Sequence, residues 1–284
     1  MSFSFGRGRA GGGRSSALPR LLIAAVIVII SLVTYFGSSV YNPVTEETQH
    51  IDLTVEQEIA LGFKAAPEMA AQFGGLHPDQ EAQALVDEVG QELVVKTAAG
   101  QTDYKFDFNL LADNETINAF ALPGGPVFIT AALMERLNSE GQLAGVLAHE
   151  IGHVVGRHAA EHIAKARLTE GLAGAAVIAA YDPENPNSSQ QAAAVAAMIG
   201  QVITLRYGRE DELESDRLGV RFMAEAGYDP RSMITVMEIL RDAGGSSGQP
   251  EFFSTHPNPD RRMERIQEAI AAEFPEGVPE GLIQ

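Results

Sequence analysis

The stretch LAHEIGHVVGRHAAEH, from Leu147 to His162, contains four of the seven histidines in this 284-residue chain. Its first part has the pattern H-E-x-x-H, formed by His149, Glu150 and His153. Histidines at positions i and i+4 lie on one face of an α-helix, so both imidazoles can reach a single metal ion. Glu150 lies about 100° round the helix, beside a position where a water molecule could lose a proton. The stretch therefore predicts a buried helix that carries two metal ligands.

Two other metal motifs can be aligned with the same stretch. The longer pattern H-E-x-x-H-x-x-G-x-x-H requires a third histidine where Ala159 stands, so we reject it. The inverted pattern H-x-x-E-H is present as His158, Glu161 and His162. On a continuous helix, these histidines would lie about 180° and 220° from His149. We therefore predict that they are surface residues on the far side of the helix.

A third ligand must come from elsewhere, because two ligands do not hold a zinc ion. The chain has no cysteine, so the third ligand must be histidine, aspartate or glutamate. The segment GREDELESDRLG places Glu212 and Asp216 on one helix face, about sixty residues beyond the first motif. One carboxylate could bind the metal while the other orients a histidine ligand through its free N–H group.

The N-terminal region predicts a membrane anchor. An uncharged apolar run extends from Leu21 to Gly37, and four arginines and no acidic residue precede it. Its length is at the lower limit for a spanning helix. By the positive-inside rule, the N-terminus lies in the cytoplasm and the rest of the chain on the other side. A cleaved signal peptide is the alternative, although Gly37 and Ser39 match a cleavage site imperfectly.

The charge of the remaining chain limits its partners. Beyond residue 37 there are 16 basic and 38 acidic residues, a net charge of −22. Such a surface repels phosphate backbones, so we expect no nucleic-acid partner.

We predict an α+β fold with four regions: a Gly/Arg-rich cytoplasmic tail (1–20), a transmembrane signal anchor (21–37), a polar linker (38–52) and a mainly helical domain (53–284). In this domain, YKFDFNLLAD and NAFALPGGPVFIT predict a small β-sheet beside the motif helix. Two apolar stretches between residues 171 and 208 predict a helical hairpin packed on the core. A lid or membrane-contacting element is the alternative for these stretches.

Four segments in order resemble one family. They are the H-E-x-x-H motif, the Glu212-x-x-x-Asp216 pair, the strand and turn from Asn118 to Thr130, and the segment STHPNPDRRMERI from Ser254 to Ile266. Together they resemble the gluzincin-type membrane metalloendopeptidases grouped around HtpX, BepA and the CAAX prenyl endopeptidase, in a small single-anchor periplasmic form.

The resemblance implies a zincin-like domain with one Zn²⁺ per chain and specific roles for its residues. The implied metal ligands are His149, His153 and Glu212. Glu150 is implied as general base, and Asp216 as the carboxylate that orients a histidine ligand. His256 is implied to donate to the transition state or to close the site as a fourth ligand. The strand Pro126, Val127, Phe128 and Ile129 is implied as the edge that an extended substrate joins.

The function implied is hydrolysis of peptide bonds in unfolded or misassembled polypeptides, which is envelope protein quality control. The enzyme would be a single-pass protein of the cytoplasmic (inner) membrane with a periplasmic catalytic domain. The alternative is a chaperone-like module that holds extended polypeptide on the edge strand while His256 keeps the zinc site closed.

Overall fold

The computed structural model describes residues 17–180, 208–243, 250–256 and 261–284. The chain divides into two compact units, Met1–Gly37 with Lys165–Thr204, and Ser38–Ala164 with Leu205–Gln284. Most of the predicted N-terminal tail and the larger part of the predicted apolar hairpin, residues 181–207, lie outside the described residues.

The first unit contains the predicted anchor as helix α1, Ala17–Gly37. Its segment Leu18–Gly37 is the one candidate membrane span among the described residues, since it is long and apolar enough to cross a bilayer. Large apolar side chains such as Leu22, Ile29 and Val33 are more than half exposed along this helix. This surface agrees with the predicted anchor.

The second unit follows the predicted order of helices and strands. Thr54 and Gln57 form a capping box at the start of α2, and the Thr130 side chain caps α4. The elements up to the motif helix are α2 (Val55–Gln72), α3 (Gln80–Lys96), β3 (Asp107–Leu111), β4 (Ala119–Ala121), β5 (Pro126–Thr130), α4 (Ala131–Met134) and α5 (Glu140–Val155). The elements beyond it are α6 (His158–Ala180), whose residues from Lys165 onward belong to the first unit, α7 (Arg209–Ala226), α8 (Ser232–Ala243), α9 (Phe252–Thr255) and α10 (Arg262–Glu273). The α+β class is confirmed.

The region predicted to be a linker is instead an ordered hairpin. Strands β1 (Ser39–Asn42) and β2 (Glu47–His50) pair antiparallel. The Asn42 side chain donates to the carbonyl of Val155 at 2.7 Å, and Gln49 donates to that of Gly156 at 2.5 Å. The last carbonyls of a helix have no partner within the helix. The polar residues of this region therefore complete the end of α5, and the linker prediction for residues 38–52 is wrong.

The three-stranded sheet has the order β3-β5-β4, with β5 in the centre. Strand β5 runs parallel to β3 and antiparallel to β4, and all five of its residues are buried. The predicted open edge at Pro126–Ile129 is therefore wrong, because both sides of this strand are already paired. The tight turn at Gly124 and Gly125, with φ of 80° and 135°, makes β4 the outer strand next to β5.

The motif helix α5 lies in the centre of the core, and α7 packs directly against it. A Cβ atom on Gly152 would lie 3.1 Å from Ser215 Cα, and one on Gly219 would lie 3.4 Å from the His149 backbone nitrogen. Glycine at these positions allows the two helix backbones to approach closely. Side chains from α5 and α7 can therefore meet at one site.

The helix that carries the opening stretch is not continuous. Helix α5 ends at Val155, and Arg157 has the left-handed φ of 57° before α6 begins at His158. Buried Glu58 accepts a hydrogen bond from Arg157 Nε at 3.0 Å, and the Leu53 carbonyl accepts one from Nη2 at 3.0 Å. These contacts hold Arg157 in a conformation that is unfavourable for a residue with a Cβ atom. The break changes where the residues after it point.

Candidate metal centre

His149 and His153 lie one turn apart on α5 and face the same point. Their Nε2 atoms are 3.1 Å apart, and both side chains are buried. The i, i+4 spacing produces this arrangement directly, because the two positions share one face of the helix.

Glu212 reaches the same point from α7. Its Oε2 atom lies 3.6 Å from His149 Nε2, and its Oε1 atom lies 3.5 Å from His153 Nε2. The carboxylate is fully buried. The close packing of α7 on α5 therefore brings the third predicted ligand to the two histidines.

His256 completes the group from the end of α9. Its Nδ1 atom lies 3.1 Å from Glu212 Oε1 and 3.4 Å from His149 Nε2. The Phe252 backbone N–H donates to the Ile117 carbonyl at 3.1 Å, which attaches this short segment next to β4. His256 thus belongs to the site although it lies in a different region of the sequence.

The four side chains fit a metal ion. Their ligand atoms all lie within 4.8 Å of one another. Four ligands about 2.1 Å from a tetrahedral ion lie about 3.4 Å apart, and the separations above range from 3.1 to 3.6 Å. Glu212 Oε2 is buried and makes no hydrogen bond within the described part of the chain. An ion bound at this point would satisfy that oxygen.

Glu150 lies next to the four-residue group. Both of its carboxylate oxygens are buried, and neither makes a hydrogen bond to the described residues. His256 Nε2 lies 3.6 Å from Glu150 Oε1. Burial raises the pKa of Glu150, and the neighbouring His256 and His149 offset this effect only in part. A carboxyl group with a raised pKa is suited to accept and return a proton.

Asp216 and Arg262 lie behind the ligands. His149 Nδ1–H donates to Asp216 Oδ1 at 3.0 Å. The Arg262 guanidinium donates to both Asp216 oxygens, at 2.7 and 2.6 Å, and its Nη1 lies 2.9 Å from Glu212 Oε2 without the alignment of a hydrogen bond. Arg262 has no role predicted from the sequence, and its place shortly after the Thr-His-Pro segment is the sequence signal that points to it.

The charges of the site hold Glu212 and Asp216 in their ionised forms. Burial by itself would raise the pKa of Glu212, but His256 and Arg262 lower it well below its ordinary value. In the same way, Arg262 and His149 outweigh burial and lower the pKa of Asp216. Burial lowers the pKa of His153 well below its usual value, so this imidazole is neutral. Ionised carboxylates and neutral imidazoles are the forms that bind metals.

The prediction for His158 is wrong, because this residue is buried and contacts the site. Its Nδ1 atom lies 2.9 Å from His153 Nδ1, and its Nε2 atom lies 2.8 Å from Glu214 Oε2. The helix break at Arg157 causes the difference, since the 180° estimate assumed a continuous helix. His162 lies away from the ligands and is paired with Asp211 at 2.7 Å.

Strands β3 and β4 are the outer strands of the sheet, and all three residues of β4 are buried. Hydrogen bonds from Leu122 N to Pro126 O and from Thr130 N to Asn118 O fix the pairing register of β4 with β5. In that register the backbone groups of Ala119 and Ala121 point away from β5.

Two histidines on α5 and a glutamate on α7 that face one point, beside the buried glutamate of H-E-x-x-H, are the residue set of a metallopeptidase. The chain belongs to peptidase family M48, whose family model matches residues 80–270. It is a metalloendopeptidase. The resemblance to this family of metalloendopeptidases is thereby confirmed.

Known metalloproteases are similar in sequence to much of this chain. The mitochondrial metalloendopeptidase OMA1 of Schizosaccharomyces pombe is 30% identical over 239 residues, which cover 83% of this chain and 68% of the relative. The beta-barrel assembly-enhancing protease of Escherichia coli is 33% identical over 222 residues, 74% of this chain and 43% of the relative. The chain thus spans less than half the length of the bacterial relative.

Proposed function

We propose that this protein is a zinc-dependent endopeptidase with one Zn²⁺ per chain, held by His149, His153 and Glu212. The convergence of these three side chains on one buried point, at separations suited to a tetrahedral ion, carries the proposal. Two imidazoles and one carboxylate are a ligand set typical of catalytic zinc. The absence of cysteine is consistent with this ligand set.

Glu150 is proposed as the general base. When bound, zinc polarises the scissile carbonyl and lowers the pKa of a water molecule at its open position. Glu150 accepts the proton of the attacking water and returns it to the departing amine nitrogen. Asp216 holds the His149 ring in position by accepting its Nδ1–H, and Arg262 keeps Asp216 fixed and ionised.

His256 is proposed to close the site in the conformation described here. Its Nδ1 atom faces the same point as the other ligands, and its Nε2 atom faces Glu150. A fourth protein ligand occupies the position that a water molecule needs. Turnover therefore requires His256 to withdraw, and the short segment α9 is the part of the chain that would move.

An extended polypeptide is proposed to bind along β4. The backbone groups of Ala119 and Ala121 that point away from β5 would pair with a substrate backbone, which is recognition by strand addition. Both residues are buried in this conformation, so the pairing requires the covering residues to move, as the withdrawal of His256 does. Ala121 and His153 both line one small cavity, so a chain bound at this edge would pass close to the metal ligands. This edge replaces the Pro126–Ile129 edge expected from the sequence.

The N-terminal sequence and the bacterial relative support a location and a substrate class. The apolar helix α1 and the arginines before it support an anchored enzyme with its catalytic unit outside the cytoplasm. The bacterial relative is named for enhancing β-barrel assembly, which supports a role on misassembled envelope proteins. We propose unfolded or misassembled polypeptides as substrates.

The test is zinc quantification with casein digestion by the full-length protein in detergent. Wild type and Glu150→Gln should each contain one zinc per chain, and only wild type should cleave casein. Glu140→Gln is the matched control, since this carboxylate lies at the start of the same helix and contacts Tyr228. Undiminished cleavage by Glu150→Gln, or wild type without zinc, would overturn the proposal.

The same experiment addresses the chaperone-like alternative, which family membership does not favour. That alternative expects casein binding that survives zinc removal, with no cleavage by wild type or by His256→Ala.

A further inference from the structure

We propose that His158 is a positioning residue for the metal ligand His153, and that Glu214 fixes His158 in turn. This inference rests on the proposed zinc site. It assigns a role to a histidine that the sequence pattern placed on the surface of the protein.

The ring contacts define one consistent arrangement of protons. His153 Nε2 faces His149 and Glu212, so its lone pair points at the proposed metal and its proton is on Nδ1. That N–H donates to His158 Nδ1 at 2.9 Å. His158 then carries its proton on Nε2 and donates to Glu214 Oε2 at 2.8 Å. Each nitrogen along this path has a suitable partner.

A hydroxyl also contacts the His158 ring, since Ser215 Oγ lies 3.4 Å from His158 Nδ1. The His158 side chain is 1% exposed, so water cannot replace these contacts readily.

The backbone conformation at the helix break determines where the His158 ring lies. A Cβ atom on Gly156 would lie 2.6 Å from His158 Nε2, so the ring folds back over a position that must be glycine. The left-handed Arg157 turns the chain at this point, at a cost of about 1–2 kcal/mol for a residue with a side chain. A continuous helix would avoid that cost but would direct His158 away from His153. The break therefore has a role in the metal centre.

The two histidine ligands are thus held in parallel ways. His149 donates directly to Asp216, whereas His153 donates to His158, which donates to Glu214. Partners of this kind fix the ring orientation and the tautomer of a metal ligand. Glu214 and Asp216 both come from α7, two residues apart, so the helix that supplies Glu212 also supports both histidine ligands.

The experiment measures zinc affinity of the full-length protein by competition with a chelator. His158→Ala should bind zinc about 10–100-fold more weakly than wild type. His158→Asn should recover much of this loss, because the Asn oxygen can take the place of Nδ1 as acceptor. His162→Ala is the matched control: it removes a histidine paired with a carboxylate of α7 from the same helix, and its affinity should stay within about twofold of wild type.

Cobalt spectra distinguish positioning from a general loss of stability. With Co²⁺ as the probe, the visible absorption band should shift in His158→Ala and stay unchanged in His162→Ala, because the band reports ligand geometry. The Asn variant provides the test if the Ala variant does not fold.

The outcomes separate this inference from the proposed function. Wild type that binds no zinc refutes the proposed function. Zinc binding by wild type with equal affinity in His158→Ala refutes only the positioning role. Equal losses in the Ala and Asn variants would also overturn it.

Discussion

Replacing Arg262 with methionine tests how strongly its contacts with Asp216 and Glu212 stabilise the folded protein. Arg262 is 2% exposed and donates to both oxygens of Asp216, while its Nη1 lies 2.9 Å from Glu212. Methionine fills similar space but leaves two buried carboxylates without their cation. Removing one partner of a buried ion pair costs about 3–5 kcal/mol. We expect a loss of this size in the free energy of unfolding of the metal-free protein.

Zinc should reduce that loss, because the ion supplies positive charge to Glu212. The assay is urea unfolding of the full-length protein in detergent, once with chelator and once with excess zinc. Arg262→Lys should fall between wild type and Arg262→Met, since an ammonium group cannot make the two parallel bonds to Asp216.

Arg265→Met is the control for the same helix. Arg265 is exposed and pairs with Glu268 at 2.6 Å, so its replacement should leave the unfolding curve nearly unchanged. A loss below about 1 kcal/mol for Arg262→Met in chelator, or one equal to that of the control, would refute the argument for a coupled buried network.

Three further predictions concern the ligands and their supports. Gly156→Ala should destabilise the protein by about 1–3 kcal/mol and weaken zinc binding, because the new Cβ displaces the His158 ring. Gly174 has open space around it, so Gly174→Ala is the control and should neither destabilise the protein nor weaken zinc binding. Chelator competition and urea unfolding measure both effects. The raised pKa of Glu150 means that the folded metal-free protein binds its proton more tightly than the unfolded chain. The stability that Glu150 contributes is therefore complete below about pH 4.3 and is lost as the pH rises through the folded pKa. Glu150→Gln should abolish this loss, measured by urea unfolding with chelator between pH 4 and 8. An unchanged pH profile would contradict the assignment. His256→Ala should bind zinc more weakly yet cleave casein faster at saturating zinc, and slower cleavage would indicate instead that His256 assists the reaction.

Much of the fold could be predicted because local patterns determine local elements. Thr54 and Gln57 start α2 through bonds between near neighbours. The spacing of His149 and His153 places both rings on one helix face without reference to the rest of the chain. The alternating segments before the motif predicted strands that the structure contains as β3, β4 and β5.

Two of the wrong predictions concern how distant elements meet. The edge prediction failed because β3 pairs with the far side of β5, and strand order depends on contacts between distant segments. The linker prediction failed because Asn42 and Gln49 find their partners at Val155 and Gly156, more than one hundred residues away. Polar composition alone does not distinguish such side chains from solvated ones.

The sequence by itself determined the two histidines, the adjacent glutamate and the candidate pair Glu212 and Asp216, because each set lies within a single helical turn. Only the tertiary structure decided that Arg262 binds behind these ligands and that His158 supports His153. Arg262 reaches the site through the packing of α10, and His158 reaches it through one left-handed residue that breaks a helix. Backbone geometry and the packing of distant helices do not appear in local spacing, so these two parts of the metal centre depend on the folded chain.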